Sequence, residues 1–166
     1  MVEDHEMHAV AASCFIYDRK AKFLIIRRSP YHSVYPDIWA VPMGKVSRTD
    51  FDSLPYTSPN EGWEDPIDIA LRREILEETG LVVGEFKYQG NFSHIRPDGV
   101  SVIGIRFAAL YKSGQIRLNQ EHVDYRWISA EEVDSYNLLG VTADVIRRID
   151  ERLGYPRRKR TVGRAA

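Results

Sequence analysis

Three glutamates within five residues are the most chemically suggestive feature of this 166-residue sequence. In a helix, Glu74, Glu77 and Glu78 stand at positions i, i+3 and i+4, so their side chains converge on one face. Carboxylates at this spacing repel one another unless a counter-ion is present, and oxygen ligands alone suit Mg²⁺ or Mn²⁺ better than zinc. The alternative is an ordinary solvated acidic face with intrahelical pairs such as Arg73–Glu77.

The ends of the helix that carries these glutamates can be predicted. Asp65 is a favourable N-cap residue, and Pro66 suits the first helical position. Gly80 is placed to end the helix as a left-handed cap. The helix is therefore expected from about Pro66 to about Glu78.

Two apolar stripes run along this helix on roughly opposite sides. Both are expected to be covered, which would leave the glutamates in a seam beside the core. The first stripe contains Ile67, Leu71 and Ile75, and the second contains Ile69 and Leu76.

The segment Arg73–Leu81 resembles the second half of the Nudix hydrolase signature, G-x5-E-x7-R-E-U-x-E-E-x-G-U, in which U is a bulky aliphatic residue. Every fixed position of that half is matched. The first half departs from the pattern, because Pro42-Met43-Gly44-Lys45-Val46 has Met43 where the family has the first of two glycines.

The spacing of the first half also departs from the family pattern. Counting back from Arg73 places the early acidic residue at Asp65, beside Glu64 and 21 positions after Gly44. The family spacing then implies an insertion of about 15 residues. We expect the inserted piece at about 47–60, as an irregular surface loop. Either Glu64 or Asp65 would take the early acidic role.

The resemblance implies an α/β fold, a Nudix-like α/β/α sandwich with a mixed β-sheet, and hydrolysis of a phosphoanhydride in a nucleoside diphosphate derivative. It implies Mg²⁺, with Mn²⁺ possible. The general base would be Glu74 or Glu121, and Arg73 would orient a glutamate by pairing with it. The implied metal-binding residues are Glu74, Glu77, Glu78, Gly44 and Glu121, and the catalytic ones are Glu74, Glu77, Glu121 and Arg73.

Five residues are candidates for binding the substrate. Arg27 and Arg28 end a strand, where an arginine fork could bind phosphate, although a solvated strand end is the simpler interpretation. Lys45 adds a positive charge beside Gly44. Tyr35 could stack on a base or pack on the surface, and His94 could contact substrate.

The remaining elements follow from hydrophobic patterning. Strands are expected over 8–17, 22–28, 81–90 with a break at Gly84, 100–111 and 121–128, and the first two should form a hairpin. The segment 91–99 reads as a loop or hairpin tip. Ser129 and Glu132 form a capping box before a short helix, and an amphipathic helix spans 142–153.

Composition indicates one domain of ordinary character. Lys plus Arg total 23 and Asp plus Glu total 24, so no general attraction to nucleic acid or to an anionic membrane is expected. The single cysteine, Cys14, excludes an internal disulfide and favours a reducing compartment. The start of the chain lacks a signal-peptide pattern, so a cytoplasmic location is expected. We divide the chain into an N-terminal extension, 1–7, the domain, 8–155, and a basic tail, 156–166, expected to be flexible.

The substrate stays open between nucleoside triphosphates and nucleotide sugars such as ADP-ribose; Pro97 is a weak indication of the latter. The partner is expected to be a small nucleotide, with no membrane, and the chain could be a monomer or a homodimer. A non-catalytic nucleotide sensor is one alternative. An RNA-end pyrophosphohydrolase aided by the basic tail is another, which we do not favour.

Overall fold

The computed structural model describes residues 7–58 and 62–154, so residues 1–6 of the predicted N-terminal extension and the predicted basic tail lie outside the described residues. The described part contains eight strands and two α-helices. They are β1 (Ala9–Tyr17), β2 (Phe23–Arg28), β3 (Trp39–Ala40), β4 (Met43–Lys45), α1 (Pro66–Thr79), β5 (Leu81–Val83), β6 (Lys87–Ile95), β7 (Ser101–Gly114), β8 (His122–Ile128) and α2 (Thr142–Leu153). Within this part, no helix is long and apolar enough to cross a bilayer.

The strands form one mixed sheet, as predicted. β1 and β7 pair in parallel along their length, from Ala9 opposite Val102 to Tyr17 opposite Leu110. The other pairings are antiparallel: β1 with β2 and β4, β2 with β3 and β8, and β7 with β5 and β6. The strand order β3-β2-β1-β7-β5 puts β1 and β7 at the centre, and the predicted hairpin of the first two strands is confirmed.

Alternating side chains of β1 and β2 build a core on each face of the sheet. Cys14, Ile16, Leu24 and Ile26 face α1, whereas Phe15, Tyr17, Phe23 and Ile25 face α2. Leu71 and Ile75 of α1 complete the first core. Val145, Ile146 and Ile149 of α2 complete the second. This arrangement is the predicted α/β/α sandwich.

Helix α1 begins at Pro66 and ends before Gly80, whose φ of 71° is the expected left-handed cap. The predicted N-cap residue is confirmed, but the second apolar stripe is not covered at Leu76 as predicted. Asp65 occupies the N-cap position with φ 52°, but its side chain makes no capping hydrogen bond. Leu76 is 56% exposed, so the helix buries one side against the sheet and leaves the other in solvent.

Two segments differ from the sequence prediction. Residues up to Ile95 of the expected loop 91–99 belong to β6, because they pair with β7 from Asn91 opposite Ile105 to Ile95 opposite Ser101. The expected irregular loop at 47–60 begins instead with a 3₁₀ turn, Arg48–Asp50, capped by Ser47. The expected break near Gly84 is confirmed, since β5 ends at Val83 and β6 starts at Lys87.

The C-terminal elements follow the prediction closely. The carboxylate of Glu132 accepts hydrogen bonds from the Ser129 backbone N–H at 2.7 Å and from its hydroxyl at 2.9 Å. A 3₁₀ helix, Val133–Ser135, follows this box. Helix α2 has the predicted bounds, and Gly154 ends it with φ 62°.

Candidate active site

The three glutamates of α1 lie in different surroundings. Glu78 is 4% exposed, although glutamate is rarely buried in this way. The Glu74 side chain is 19% exposed, and that of Glu77 is 55% exposed. The three glutamates all lie near the C-terminal end of α1, and their exposure ranges from buried for Glu78 to exposed for Glu77.

Glu78 is fixed by strand β4. Its Oε2 accepts a hydrogen bond of 3.0 Å from the Met43 backbone N–H. Burial raises the pKa of Glu78 to about 8, which the Met43 bond opposes and the charge of Glu74 increases. His122 Nε2 lies 3.8 Å from the other carboxylate oxygen. Burial, with Arg28, lowers the pKa of His122 to about 4, so the ring is neutral at pH 7.

Glu74 lies against the next residue of β4, Gly44. A Cβ at Gly44 would come within 1.9 Å of Glu74 Cδ and 2.1 Å of its Cγ. Only glycine leaves room for the carboxylate there. Burial raises the pKa of Glu74, and the charge and hydrogen bond of Arg73 act in the opposite direction. Two consecutive residues of β4 thus contact two of the three glutamates.

Arg73 joins three carboxylates. Its NH1 donates to Glu77 Oε2 at 2.8 Å, its NH2 donates to Glu74 Oε1 at 3.0 Å, and its Nε donates to Asp50 Oδ1 at 2.5 Å. The expected pairing of Arg73 with a glutamate is present in the structure. The pairing with Asp50 was not anticipated.

Arg28 lies on the same face of the sheet as α1, at the end of β2. Its pKa is lowered by burial, while the negative charges of Glu78 and Glu121 act to raise it. Its NH1 donates to the Val34 carbonyl at 2.8 Å. Its Nε is buried and has no hydrogen-bond partner among the described residues.

Glu121 precedes β8 beside this arginine. Its backbone carbonyl accepts a hydrogen bond from Ser29 at 2.8 Å, which fixes its position. Its carboxylate is 63% exposed and lies 3.9 Å from His32 Nε2. The charge of Glu121 also acts on the pKa of Glu78 and of Arg28, so its exposed carboxylate lies on the solvent side of this group.

The other sequence candidates lie in three separate places. Tyr35 donates or accepts a 2.5 Å hydrogen bond with His94 Nε2, which joins the loop after β2 to β6. Lys45 is exposed at the end of β4. Arg27 precedes Arg28 and so projects to the opposite face, where it pairs with Asp37 at 2.7 Å. Arg27 is not brought together with the glutamates.

The glutamates of this region could supply the oxygen ligands of a divalent cation. Among residues 7–58 and 62–154, no three His, Cys, Asp or Glu side chains already lie together as a metal-binding group. The available donors still suit Mg²⁺ or Mn²⁺, because they are carboxylate oxygens. Arg73 takes Oε1 of Glu74 and Oε2 of Glu77, and within the described chain the other oxygen of each has no hydrogen-bond partner. The missing side chain of Gly44 leaves room for the Glu74 carboxylate against β4.

Sequence reasoning missed three residues of this region: Asp50, His32 and His122. The two histidines give no sequence signal, because neither stands at a motif position. Asp50 does give one, since it lies six positions after Gly44.

The fold and the helix of acids define a class of protein. A family model described as NUDIX domain matches residues 7–152, and the chain belongs to this family, the Nudix hydrolases. The nucleoside triphosphatase NudI of Escherichia coli K12 is 24% identical over 144 residues, which are 81% of this chain and 92% of that protein. NudI of Klebsiella pneumoniae MGH 78578 is 27% identical over 139 residues, which are 78% of this chain and 88% of that protein.

Solved structures agree with the fold. The MutT protein of Methanosarcina mazei Go1 superimposes with a TM-score of 0.62 and is 27% identical, with 89% of this chain and 96% of that chain covered. The NUDIX domain of Shewanella oneidensis NrtR, solved with ADP ribose, gives a TM-score of 0.67 at 16% identity, with 92% and 94% covered. At that identity the second likeness concerns the fold alone.

Proposed function

We propose that the chain is a divalent-metal-dependent hydrolase that cleaves a phosphoanhydride bond in a nucleoside diphosphate derivative. The observation that carries this proposal is the contact of Glu78 and Glu74 with two consecutive residues of β4, Met43 and Gly44. This contact holds two acidic side chains against the same strand, and the charge of Glu74 acts on Glu78, so a divalent cation bound there would offset their repulsion.

The metal-binding residues would be Glu74, Glu77 and Glu78, with Glu121 on the solvent side. Mg²⁺, or Mn²⁺ in its place, would neutralise the substrate phosphates and stabilise the charge that develops during hydrolysis. The carboxylates supply the negative charge that holds such an ion. The placement of Glu74, Glu77 and Glu78 on one helix fixes the relative positions of these three.

Arg28 would bind a substrate phosphate. Its buried Nε has no hydrogen-bond partner in the part of the chain that the structure describes, and a phosphate oxygen is a strong acceptor for a guanidinium fork. Lys45, exposed beside Gly44, would add a second cation at the rim. The positive charges of Arg28 and Lys45 would offset the repulsion between the anionic substrate and the glutamates.

A carboxylate would remove the proton of the attacking water. Glu74 is one candidate, because it is half-buried beside Gly44 and burial raises its pKa. Glu121 is the other, because its exposed carboxylate lies on the solvent side. General base catalysis of this kind contributes typically about 10²–10⁴-fold.

Nucleoside triphosphates are the substrate class we favour. The NudI proteins, named nucleoside triphosphatases, cover most of this chain. The products would then be a nucleoside monophosphate and pyrophosphate. A nucleotide sugar would instead give a nucleoside monophosphate and a sugar phosphate; Pro97 and the ADP ribose bound to the Shewanella domain keep ADP-ribose in the test panel. Tyr35 and His94, joined at 2.5 Å, would contact the nucleoside.

The test is product release from a panel of nucleoside triphosphates and nucleotide sugars. Each compound is assayed with Mg²⁺, with EDTA and with the Glu77→Gln variant. We expect metal-dependent formation of a nucleoside monophosphate and a loss of at least about 100-fold in Glu77→Gln. Asp68→Asn is the matched control, because Asp68 is an acid of the same helix that pairs with Arg72 in solvent.

The opposite outcome is also informative. If no compound is cleaved but nucleotides bind tightly, the chain is a nucleotide sensor and the hydrolase proposal fails. Activity confined to RNA 5′ ends, lost in a salt-dependent way when residues 157–166 are removed, would favour the RNA alternative.

A further inference from the structure

Asp50 is an acidic residue whose environment differs from that of a solvated loop. Its side chain is 2% exposed. Oδ1 accepts from Arg73 Nε at 2.5 Å, and Oδ2 accepts from the Ser47 backbone N–H at 2.7 Å. Burial alone would raise the pKa of this carboxyl, but these hydrogen bonds outweigh it and lower the pKa. Asp50 is therefore a charged group held in one orientation.

The orientation of Asp50 determines that of Arg73. A guanidinium is planar, so a bond to Nε sets the plane in which NH1 and NH2 point. NH1 and NH2 are the atoms that reach Glu77 and Glu74. Without Asp50, the Arg73 guanidinium would still contact Glu74 and Glu77. It would lose the contact from outside α1 that fixes its plane.

The position of Asp50 in the chain agrees with this role. Asp50 follows Gly44 by six positions, the spacing of the first half of the signature. If residues 51–65 are left out, the seven residues 66–72 separate Asp50 from Arg73, as in the second spacing. Glu64 and Asp65, the residues expected in this role, are exposed.

Several described residues after Asp50 contact one another. The Phe51 and Trp63 rings lie 5.1 Å apart, and the Tyr56 and Trp63 rings lie 4.5 Å apart. Trp63 Nε1 donates to the Leu54 carbonyl at 2.9 Å. A surface loop packed by its own side chains can be inserted beside a functional helix without disturbing it.

We propose that Asp50 is a positioning residue of the active site, which holds Arg73 and through it Glu74 and Glu77. The inserted segment is then 51–65 and not about 47–60. The kinetic part of this inference rests on the proposed function, whereas the structural part does not.

The first experiment observes Arg73 directly, without substrate or metal. In a ¹H–¹⁵N spectrum of the full chain, the Arg73 Nε–H signal is assigned by its loss in Arg73→Lys. We expect slow exchange with water in the wild type and exchange at least about tenfold faster in Asp50→Asn, because the charged acceptor is lost. Asp52→Asn is the matched control, since Asp52 pairs with the exposed Arg48 at 3.6 Å in the same segment. Unchanged exchange in Asp50→Asn overturns the proposal.

The second experiment measures function. Asp50→Asn should lower kcat about 10–100-fold and weaken Mn²⁺ binding to the free protein by a similar factor, with KM little changed. Asp52→Asn should leave all three unchanged. If the wild type cleaves nothing, the proposed function fails, but Mn²⁺ binding and the Arg73 signal still test Asp50. Wild-type kcat and Mn²⁺ affinity in Asp50→Asn would overturn the positioning role.

Two deletions serve if Asp50→Asn does not fold. Removing 51–65 keeps Asp50 and restores both signature spacings, whereas removing 47–60 is nearly as long but removes Asp50. We expect the first variant to keep the slowly exchanging Arg73 signal and Mn²⁺ binding, and the second to lose both. The reverse result, or equal loss in both, overturns the proposal.

Discussion

Glu78 and Met43 are joined by a hydrogen bond of 3.0 Å, in which the Met43 backbone N–H donates to the buried carboxylate. Met43 replaces the first glycine of the family signature, but the contact uses only its backbone, which any residue except proline provides. The Met43 side chain packs instead against the core on the α2 face. The departure from the signature is therefore compatible with an intact contact between β4 and α1.

Glu78→Gln should separate stability from activity. Glutamine keeps the volume of the side chain and an oxygen that accepts from Met43, but it removes a buried carboxylate whose charged form burial disfavours. We expect the free energy of unfolding of the metal-free protein to stay equal or rise, measured by urea denaturation. Nucleotide hydrolysis should fall by more than about 100-fold, since losing even an outer partner of a metal site costs about 10–100-fold. A loss of stability without a loss of turnover would contradict both expectations.

Gly44→Ala should displace Glu74. The added methyl group would lie 1.9 Å from Glu74 Cδ, so the carboxylate must move away from β4. We expect kcat to fall by about 100-fold, because a displacement of about 1 Å in a catalytic group can cost that much. The unfolding free energy should change by no more than about 1 kcal/mol, because alanine also reduces the freedom of the unfolded chain.

Gly84→Ala is the control for this substitution. Its methyl group would meet Lys112 Cε at 2.9 Å, the far end of a flexible side chain remote from the glutamates. Turnover should equal that of the wild type. Equal kcat in Gly44→Ala and Gly84→Ala would show that the Gly44–Glu74 contact does not matter for catalysis.

Two adjacent residues of α1 should differ sharply in their contribution to stability. Ile75 is 1% exposed in the core beneath the sheet, whereas Leu76 is 56% exposed. Ile75→Ala should lower the free energy of unfolding by about 2–5 kcal/mol, because it leaves a cavity. Leu76→Ala should change it by less than about 0.5 kcal/mol. Thermal or urea unfolding of the two variants provides the measurement, and similar losses would mean that Leu76 is covered in solution.

Hydrophobic periodicity and helix-end residues predicted most of the helices and strands. Helix α2 was predicted to the residue, because its apolar stripe and Gly154 mark it without reference to the rest of the fold. The prediction that the second stripe of α1 is covered was wrong, because two apolar residues on a helix face do not show whether anything packs on them. The predicted strand ended at Gly90, too early for β6, because pairing with β7 outweighs the polar character of Asn91 and His94.

The candidate site was predictable only where it is local in sequence. Arg73, Glu74, Glu77 and Glu78 lie within about one and a half turns of one helix, so their spacing carries the signal. Asp50 reaches Arg73 across 23 positions. Its contact depends on how the chain between Gly44 and α1 folds, and counting back from Arg73 stops at Asp65 before it reaches Asp50.

Glu132 should make a defined contribution to acid sensitivity, away from the active site. A hydrogen bond from Lys22, followed by those from the Ser129 backbone and hydroxyl, lowers its pKa from 4.5 to about 2. The unfolded chain therefore binds the proton first as the pH falls. The stabilisation is fully present above about pH 4.5 and is lost as the pH falls to about 2.

Glu132→Gln should remove this pH dependence and lower the stability at pH 7. The loss should be about 1 kcal/mol or less, because Lys22 and Glu132 are 38% and 49% exposed and solvent screens the pair. Urea unfolding at several pH values between 2 and 7 measures it, as the difference between variant and wild type. Ser129→Ala keeps the backbone donor and should show a smaller change in the same window. A difference that stays constant from pH 7 to pH 2 would mean that the carboxylate charge is not the cause.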